Sequence, residues 1–255
     1  RKLNKPKKKN EMFKPFALGH YRNWSNVIGV KCAGVKKFHF AVRDDVAEAV
    51  ENELLQQIII RMRSTTEDST TDYAISSLPR PVDVAHWWRP TDTRQARLRS
   101  TVSQHLLSMK EKYANLNITA DIVGSRGREG RQGVHTDYVN ALLGTKIIIV
   151  AQRDRWEDHY RLFEALLSGA LVMSDRMLSF PWGVNESTTI VVYNNLQNLE
   201  TKILYYLDHP EERYTIAKAG RELALNHHRQ HHRWEDLLLG NWSDRNEYGV
   251  SYNRP

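Results

Sequence analysis

The sequence predicts an α/β fold, a Rossmann-like parallel sheet with helices on both of its faces. Short apolar segments alternate with longer amphipathic segments from residue 80 to residue 240. This alternation is typical of parallel strands joined by crossover helices. One short segment, residues 146–151 (KIIIVA), is mostly apolar and β-branched. That composition is expected of a strand that is buried on both faces.

The predicted strands of this region share a short apolar core, and they cover residues 82–87, 118–123, 146–151, 171–174 and 189–193. The predicted helices carry apolar side chains at intervals of three and four. They cover residues 93–113, 136–143, 159–167, 198–207, 210–226 and 230–239. In parallel sheets, ligands bind outside the carboxyl ends of the strands. A site is therefore expected in the loops that follow Trp87, Val123, Ala151 and Ser174.

The chain before residue 80 is organised differently. Apolar residues recur at helical spacing from Val46 to Met62, and residues 27–30 and 38–42 have the composition of short strands. Residues 64–77 (STTEDSTTDYAISS) are polar and rich in Ser and Thr, which predicts a linker.

The formal charge of +7 does not indicate a nucleic-acid partner. Residues 1–10 hold six basic and no acidic residues, so the rest of the chain has 31 basic against 30 acidic residues. The excess charge therefore belongs to a tail, which is expected to be disordered. A single cysteine, Cys32, excludes an intrachain disulfide and a multi-cysteine zinc site. No apolar run reaches the length of about 18 residues that a membrane span needs.

Residues 156–175 (WEDHYRLFEALLSGALVMSD) carry the most informative chemistry. Arg161 and Glu164 are three residues apart, so they lie on one face near the start of the predicted helix. A carboxylate there can accept hydrogen bonds from the two hydroxyls of a ribose, and a guanidinium can hold a diphosphate. Gly169 allows a tight turn from helix to strand. A surface ion pair that only stabilises the helix explains the same spacing, and both interpretations stay open.

The string RLFEALLSGALVMSD resembles the core motif of group 1 glycosyltransferases, above all their CgeB-like branch. Its Arg-x-x-Glu-Ala-Leu-x-x-Gly part is also similar to exostosin-type transferases. The order of the flanking segments resembles the family as well, over residues 80–239. The resemblance implies the second domain of a GT-B enzyme, in which two Rossmann-like domains face each other and the donor binds mainly to the second.

The resemblance also implies a division of the chain. Residues 1–20 are expected to be a basic tail, and residues 21–63 the remnant of an acceptor domain. Residues 64–79 are the expected linker, residues 80–240 the nucleotide-sugar-binding domain, and residues 241–255 a C-terminal tail.

By resemblance, Glu164 binds the donor ribose and Arg161 lies toward the phosphates. The full set of expected donor-binding residues is Glu164, Arg161, His159, Gly169, Lys146, Trp182 and Gly183. No catalytic base is assigned. Many group 1 enzymes carry a second Glu eight positions before the ribose Glu, and here Trp156 occupies that position. This departure leaves the stereochemical outcome open.

The resulting hypothesis is transfer of a sugar from a nucleotide-diphosphate donor to a glycan or another hydroxyl acceptor, without a metal or other cofactor. No nucleic-acid partner is expected. The alternative is an inactive Rossmann-like domain that binds a nucleotide, a sugar or a protein partner. Two further features are weaker signals of a binding site. The glycine-rich loop at residues 124–133 could cradle phosphates or meet an acceptor, and the histidines between residues 227 and 232 could bind zinc.

Overall fold

The computed structural model describes residues 40–64, 78–87, 97–120, 134–151, 160–177 and 180–239. Its strands are β1 (Val82–Ala85), β2 (Ile118–Thr119), β3 (Thr145–Val150), β4 (Leu171–Asp175) and β5 (Val191–Tyr193). They form one five-stranded sheet in the order β2-β1-β3-β4-β5, and every pairing is parallel. The predicted α/β fold with a parallel sheet is confirmed.

The helices of the described residues are α1 (Asp44–Ser64), α2 (Arg97–Lys112), α3 (Thr136–Leu143), α4 (Tyr160–Leu167), α5 (Leu196–Asp208), α6 (Pro210–His227) and α7 (Gln230–Leu239). None of them is long and apolar enough to cross a membrane. The predicted helices at residues 136–143 and 230–239 begin and end where the sequence placed them. Pro210 opens α6, as its fixed φ and missing N–H favour.

Two apolar clusters cover the two faces of the sheet. Ile148 and Val150 of β3 point into one cluster, with α1, α3 and α4. Ile147 and Ile149 point into the other, with α2 and α5. Successive side chains of a strand point to opposite faces, so this single β-branched run supplies both clusters. The C-terminal part of α6 joins the first cluster and its middle joins the second.

Helix α1 shares the core of the sheet domain. Its residues Val46, Val50, Leu54 and Ile58 are buried in the same cluster as α3 and α4. Both carboxylate oxygens of Glu51 accept hydrogen bonds from Nη2 of Arg221 on α6, at 2.7 and 2.9 Å. The division at residue 64 stays a prediction, and these contacts show that α1 packs with the residues that follow it.

The segment before α1 differs from its prediction. Residues 38–42 were expected to form a strand, but within the described residues 40–42 only Val42 makes a bridge, parallel to Arg229. The backbone N–H of Val42 donates to the carbonyl oxygen of His228 at 2.8 Å. A single bridge forms because its partner segment turns at once into α7. The expected strand at residues 27–30 and most of the expected linker lie outside the described residues.

Candidate functional site

The order of the strands places a crevice at the carboxyl ends of β1 and β3. Chain connections from these neighbouring strands run to opposite sides of the sheet, because β2 lies outside β1 and β4 lies outside β3. Ligands of open α/β sheets bind at such a switch point. The first residues after the two strands are His86 and Ala151, and both are fully buried.

His86 is a neutral imidazole at this edge. Its Nδ1 lies 3.0 Å from the carbonyl oxygen of Ile149, and a carbonyl only accepts, so Nδ1 carries the hydrogen. Burial lowers the pKa of His86 to about 4, and the positive charges of Arg99 and Arg161 act in the same direction. The ring is therefore uncharged at neutral pH, with Nε2 as an acceptor.

Arg99 closes the end of β3 from the side of α2. Its Nε donates to the carbonyl oxygen of Ala151 at 3.0 Å. Ala151 directly follows the last residue of β3. The bond brings a guanidinium to the same end of the sheet as His86.

Glu164 is the buried carboxylate of the site. It lies in the middle of α4, and only 4% of its surface is exposed. Its Oε2 accepts a hydrogen bond of 2.6 Å from the hydroxyl of Tyr138 on α3. Tyr138 in turn packs edge-to-face on Trp87, which follows β1, with ring centroids 6.3 Å apart. These contacts join α3, α4 and the end of β1.

The charge state of Glu164 reflects opposing effects. Burial raises the pKa of its carboxyl, which is the largest effect, and Asp45 at the start of α1 raises it further. The Tyr138 hydrogen bond and the positive charges of Arg161 and Arg43 lower the pKa, and the net direction is upward. Burial and the Glu164 charge raise the pKa of Tyr138 well above its usual value, so its hydroxyl stays a donor.

Arg161 lies in the first turn of α4. Its guanidinium carbon is 5.7 Å from the centroid of the Tyr160 ring. Its charge acts on both His86 and Glu164. A positive group at a helix N-terminus, where backbone N–H groups also point outward, favours an anion.

Trp182 and Gly183 form a turn after β4. The carbonyl oxygen of Trp182 accepts a 2.8 Å hydrogen bond from Nε2 of His228. The ring of His228 stacks on Phe163 of α4 at 4.5 Å. Gly183 has a φ of +73°, which favours glycine. His228 thus connects the turn to α4, because its ring stacks on Phe163, the residue directly before Glu164.

Lys146 and Gly169 lie at the opposite edge of the sheet. Lys146 is the second residue of β3, and its Nζ contacts Oδ1 of Asp83 on β1 at 2.6 Å. Gly169 follows α4 with a φ of +71°, and a Cβ there would lie 3.2 Å from Nη2 of Arg80. The structure therefore does not bring these two residues together with Arg161 and Glu164. It gives them roles in joining strands and in ending a helix.

Other expected residues fall elsewhere. His159, Trp156 and the loop at residues 124–133 lie outside the described residues. Among the described histidines, His231 contacts Asp44 at 2.7 Å and His232 accepts from the backbone N–H of Arg229 at 3.2 Å. The described part of the chain contains no group of three side chains that could hold a metal ion.

Comparison with known proteins agrees with this architecture. The family described as glycosyl transferase-like matches residues 99–239, more than half of the chain. The chain belongs to the glycosyl transferase-like family. This confirms the expected group 1 family, whereas the CgeB-like branch and the exostosin-like motif stay predictions. No sequence match was found among curated proteins.

The fold of this chain is similar to that of a glycosyltransferase from Rickettsia africae ESF-5. The TM-score is 0.54 at 15% identity, over 90% of this chain and 62% of that one. The chain thus spans less than two thirds of that structure.

Two other solved structures are similar at lower scores. Anabaena Alr3699/HepE in complex with UDP has 11% identity and a TM-score of 0.46, over 82% of this chain and 57% of that one. Sucrose-phosphate synthase from Thermosynechococcus elongatus has 14% identity and a TM-score of 0.42, over 68% and 47%.

Three residues at this carboxyl edge were missed by the sequence analysis, namely Tyr138, His86 and Arg99. Tyr138 is 26 residues from Glu164 and His86 is 63 residues from Ile149. No periodic pattern reports contacts at such separations. His86 lies inside the strand predicted at residues 82–87, one residue before the loop that the carboxyl-edge rule selects, so that rule did not single it out.

Proposed function

We propose that this chain carries the donor site of a glycosyltransferase, with a nucleotide-diphosphate sugar bound at the carboxyl edge beside α4. The observation that carries the proposal is the buried carboxylate of Glu164, on the same helix as Arg161, whose positive charge acts on it. A buried carboxylate is costly unless it has a partner. Binding of a polar ligand that donates hydrogen bonds to this carboxylate would explain why a carboxylate is buried here.

Each group has a definite role in this proposal. The Glu164 carboxylate accepts hydrogen bonds from the ribose hydroxyls, since an ionised carboxylate offers about four acceptor positions and Tyr138 occupies one. Arg161 and the first turn of α4 face the diphosphate, which carries negative charge. The neutral His86 adds no repulsion toward a sugar or base.

The proposed reaction is transfer of the sugar to a hydroxyl of a glycan or another acceptor, without a metal. As the bond from sugar to diphosphate breaks, negative charge grows on the departing diphosphate. Arg161 and the helix N-terminus stabilise that charge, and the site holds the donor in position. The base that activates the acceptor is not assigned.

A calorimetric screen tests the donor site. UDP, GDP and ADP, and their sugar conjugates, are titrated into the wild-type chain with and without EDTA. We expect one nucleotide to bind, equally well with EDTA, and to lose most of its affinity in Glu164→Ala. The control is Glu222→Ala, because Glu222 is an exposed carboxylate on α6.

The outcomes separate the proposal from its alternatives. Loss of binding on addition of EDTA would contradict the metal-free site. Equal binding by wild type and Glu164→Ala would contradict the role of Glu164. Binding of a nucleotide sugar with no sugar transfer or release, tested with simple glycoside acceptors, would favour the inactive binding domain.

A further inference from the structure

Tyr138 is fixed at both ends of its side chain. Its ring contacts Trp87 edge-to-face at an interplanar angle of 73°, and its hydroxyl donates to Oε2 of Glu164 at 2.6 Å. Helix α3, which carries Tyr138, buries Val139 and Leu142 in the core on the neighbouring face. The phenol therefore has little freedom to move away from the carboxylate.

The Glu164 carboxylate depends on this one hydroxyl. Within the described part of the chain, Tyr138 is its hydrogen-bond donor. The terminal torsion of a glutamate is broad, so packing alone does not fix the plane of its carboxylate. A hydrogen bond from a rigid donor does fix it, and it leaves acceptor positions on Oε1 for another molecule.

The other charged groups around Glu164 come from two helices. Arg161 approaches from α4, while Arg43 and Asp45 approach from the start of α1. Arg43 is engaged with Asp45 in an ion pair of its own, so the effects of these two on Glu164 oppose each other. The Tyr138 hydroxyl, Arg161 and Arg43 are the groups that favour an ionised carboxylate, and the hydrogen bond of Tyr138 has the largest effect of the three.

We propose that Tyr138 is the positioning residue of the donor site, and that its hydroxyl holds the Glu164 carboxylate in the orientation and charge state that accept two ribose hydroxyls. This inference rests on the proposed function, because it takes the ribose as the ligand of Glu164. It assigns to Tyr138 a role that neither the sequence motif nor the family match includes.

A dependence of binding on pH follows from the position of Tyr138. A protonated carboxyl cannot accept at both oxygens in the same way, so affinity falls as pH falls through the pKa of Glu164. The Tyr138 hydrogen bond lowers that pKa against the effect of burial. Without the hydroxyl the pKa rises further, and affinity is lost at a higher pH.

The test compares Tyr138→Phe with wild type. The nucleotide that binds wild type is titrated by calorimetry across a series of pH values. We expect about tenfold weaker binding at neutral pH, which corresponds to about 1.4 kcal/mol, because the carboxylate loses the hydrogen bond that orients it. We also expect the midpoint of the affinity loss to move to higher pH, with the melting temperature showing that the variant is folded.

Tyr205→Phe is the matched control. Its hydroxyl also donates to a glutamate, Oε2 of Glu212 at 2.8 Å, but this pair is exposed and lies where α5 meets α6. That junction is at the amino edge of the sheet, away from Glu164. The same chemical change there is expected to leave both the affinity and its pH midpoint at wild-type values.

Two results would overturn the inference. One is a Tyr138→Phe profile with the same pH midpoint as wild type, even if the variant binds more weakly or melts earlier, because that pattern indicates a purely structural tyrosine. The other needs no ligand. It is an infrared band of the protonated Glu164 carboxyl, identified by its loss in Glu164→Gln, that titrates at the same pH in Tyr138→Phe as in wild type, whereas the inference expects a shift to higher pH.

The infrared titration also separates this inference from the proposed function. If wild type binds none of the nucleotides, the proposal of a donor site is contradicted. An unshifted carboxyl band would then show that Tyr138 does not set the charge state of Glu164 either.

Discussion

A Cβ atom at Gly220 would lie 2.6 Å from the carbonyl oxygen of Thr189 and 2.7 Å from Cδ2 of Leu166. Helix α6 therefore approaches both α4 and the chain before β5 more closely than any other residue type allows. This contact supports the position of α4, and with it that of Arg161 and Glu164. We predict that Gly220→Ala destabilises the fold by about 1–3 kcal/mol, because a backbone oxygen cannot move aside cheaply.

Urea unfolding measures this effect. The control is Lys218→Ala, a change on the half-exposed side of the same helix, which should alter the free energy of unfolding by less than about 0.5 kcal/mol. Equal stability of Gly220→Ala and wild type would mean that α6 packs less closely on α4 than described.

Glu164→Gln should make the protein more stable at neutral pH while it removes donor binding. Burial raises the pKa of Glu164, so the unfolded carboxyl releases its proton at a lower pH than the folded one. Stability then falls as pH rises from the unfolded value, about 4.3, through the folded value. Glutamine does not ionise, so the variant does not lose this stability as the pH rises. Thermal unfolding across pH should show a higher melting temperature for the variant at pH 7, and the difference should close in acid.

Glu200 should show the opposite dependence on pH. Its carboxylate, on α5, contacts Nζ of Lys112 at 2.7 Å, the hydroxyl of Tyr113 at 2.9 Å and Nε2 of His105 at 3.3 Å. The Lys112 and Tyr113 hydrogen bonds lower the pKa of Glu200. Its contribution is therefore present above the unfolded pKa and is lost as pH falls through the folded pKa.

We accordingly predict that Glu200→Gln lowers the melting temperature at pH 7 and loses that deficit in acid. The same pH series as for Glu164→Gln measures it, so the two glutamates serve as controls for each other. Parallel behaviour of the two variants would contradict the assigned environments.

The proposed division of the chain can be tested by truncation. A chain that begins at Arg80 lacks α1 and exposes the apolar cluster that Val46, Val50 and Leu54 cover. We predict that it unfolds without a cooperative transition and binds a hydrophobic dye, whereas a chain that begins at Phe40 unfolds cooperatively. Cooperative folding of the shorter chain would show that residues 80–240 form an independent domain.

Much of the fold could be predicted from local pattern. The β-branched run of β3 and the apolar spacing of α3 are properties of neighbouring residues, so both elements could be predicted from short segments of the sequence. Within the described residues 40–42, the strand expected at residues 38–42 is reduced to a single bridge, because strand pairing depends on a partner. The bridge joins Val42 to Arg229, where the chain is about to enter α7.

Only part of the candidate site could be predicted from the sequence. Arg161 and Glu164 are neighbours on a helix, so their spacing could indicate chemistry. The hydroxyl of Tyr138 reaches Glu164 only once α3 and α4 pack on the same face of the sheet. Lys146 was expected near the donor by resemblance to the family, but the direction of β3 places it at the other edge, against Asp83.

The most direct test of the account is the ribose contact itself. The nucleotide that binds best is compared by calorimetry with its 2′-deoxy and 3′-deoxy forms, in wild type and in Glu164→Gln. If Glu164 holds the ribose, wild type should bind the ribonucleotide about tenfold or more tightly than either deoxy form. Glu164→Gln should bind all three weakly and with little distinction. A variant that keeps the wild-type preference for the ribonucleotide would contradict the central claim.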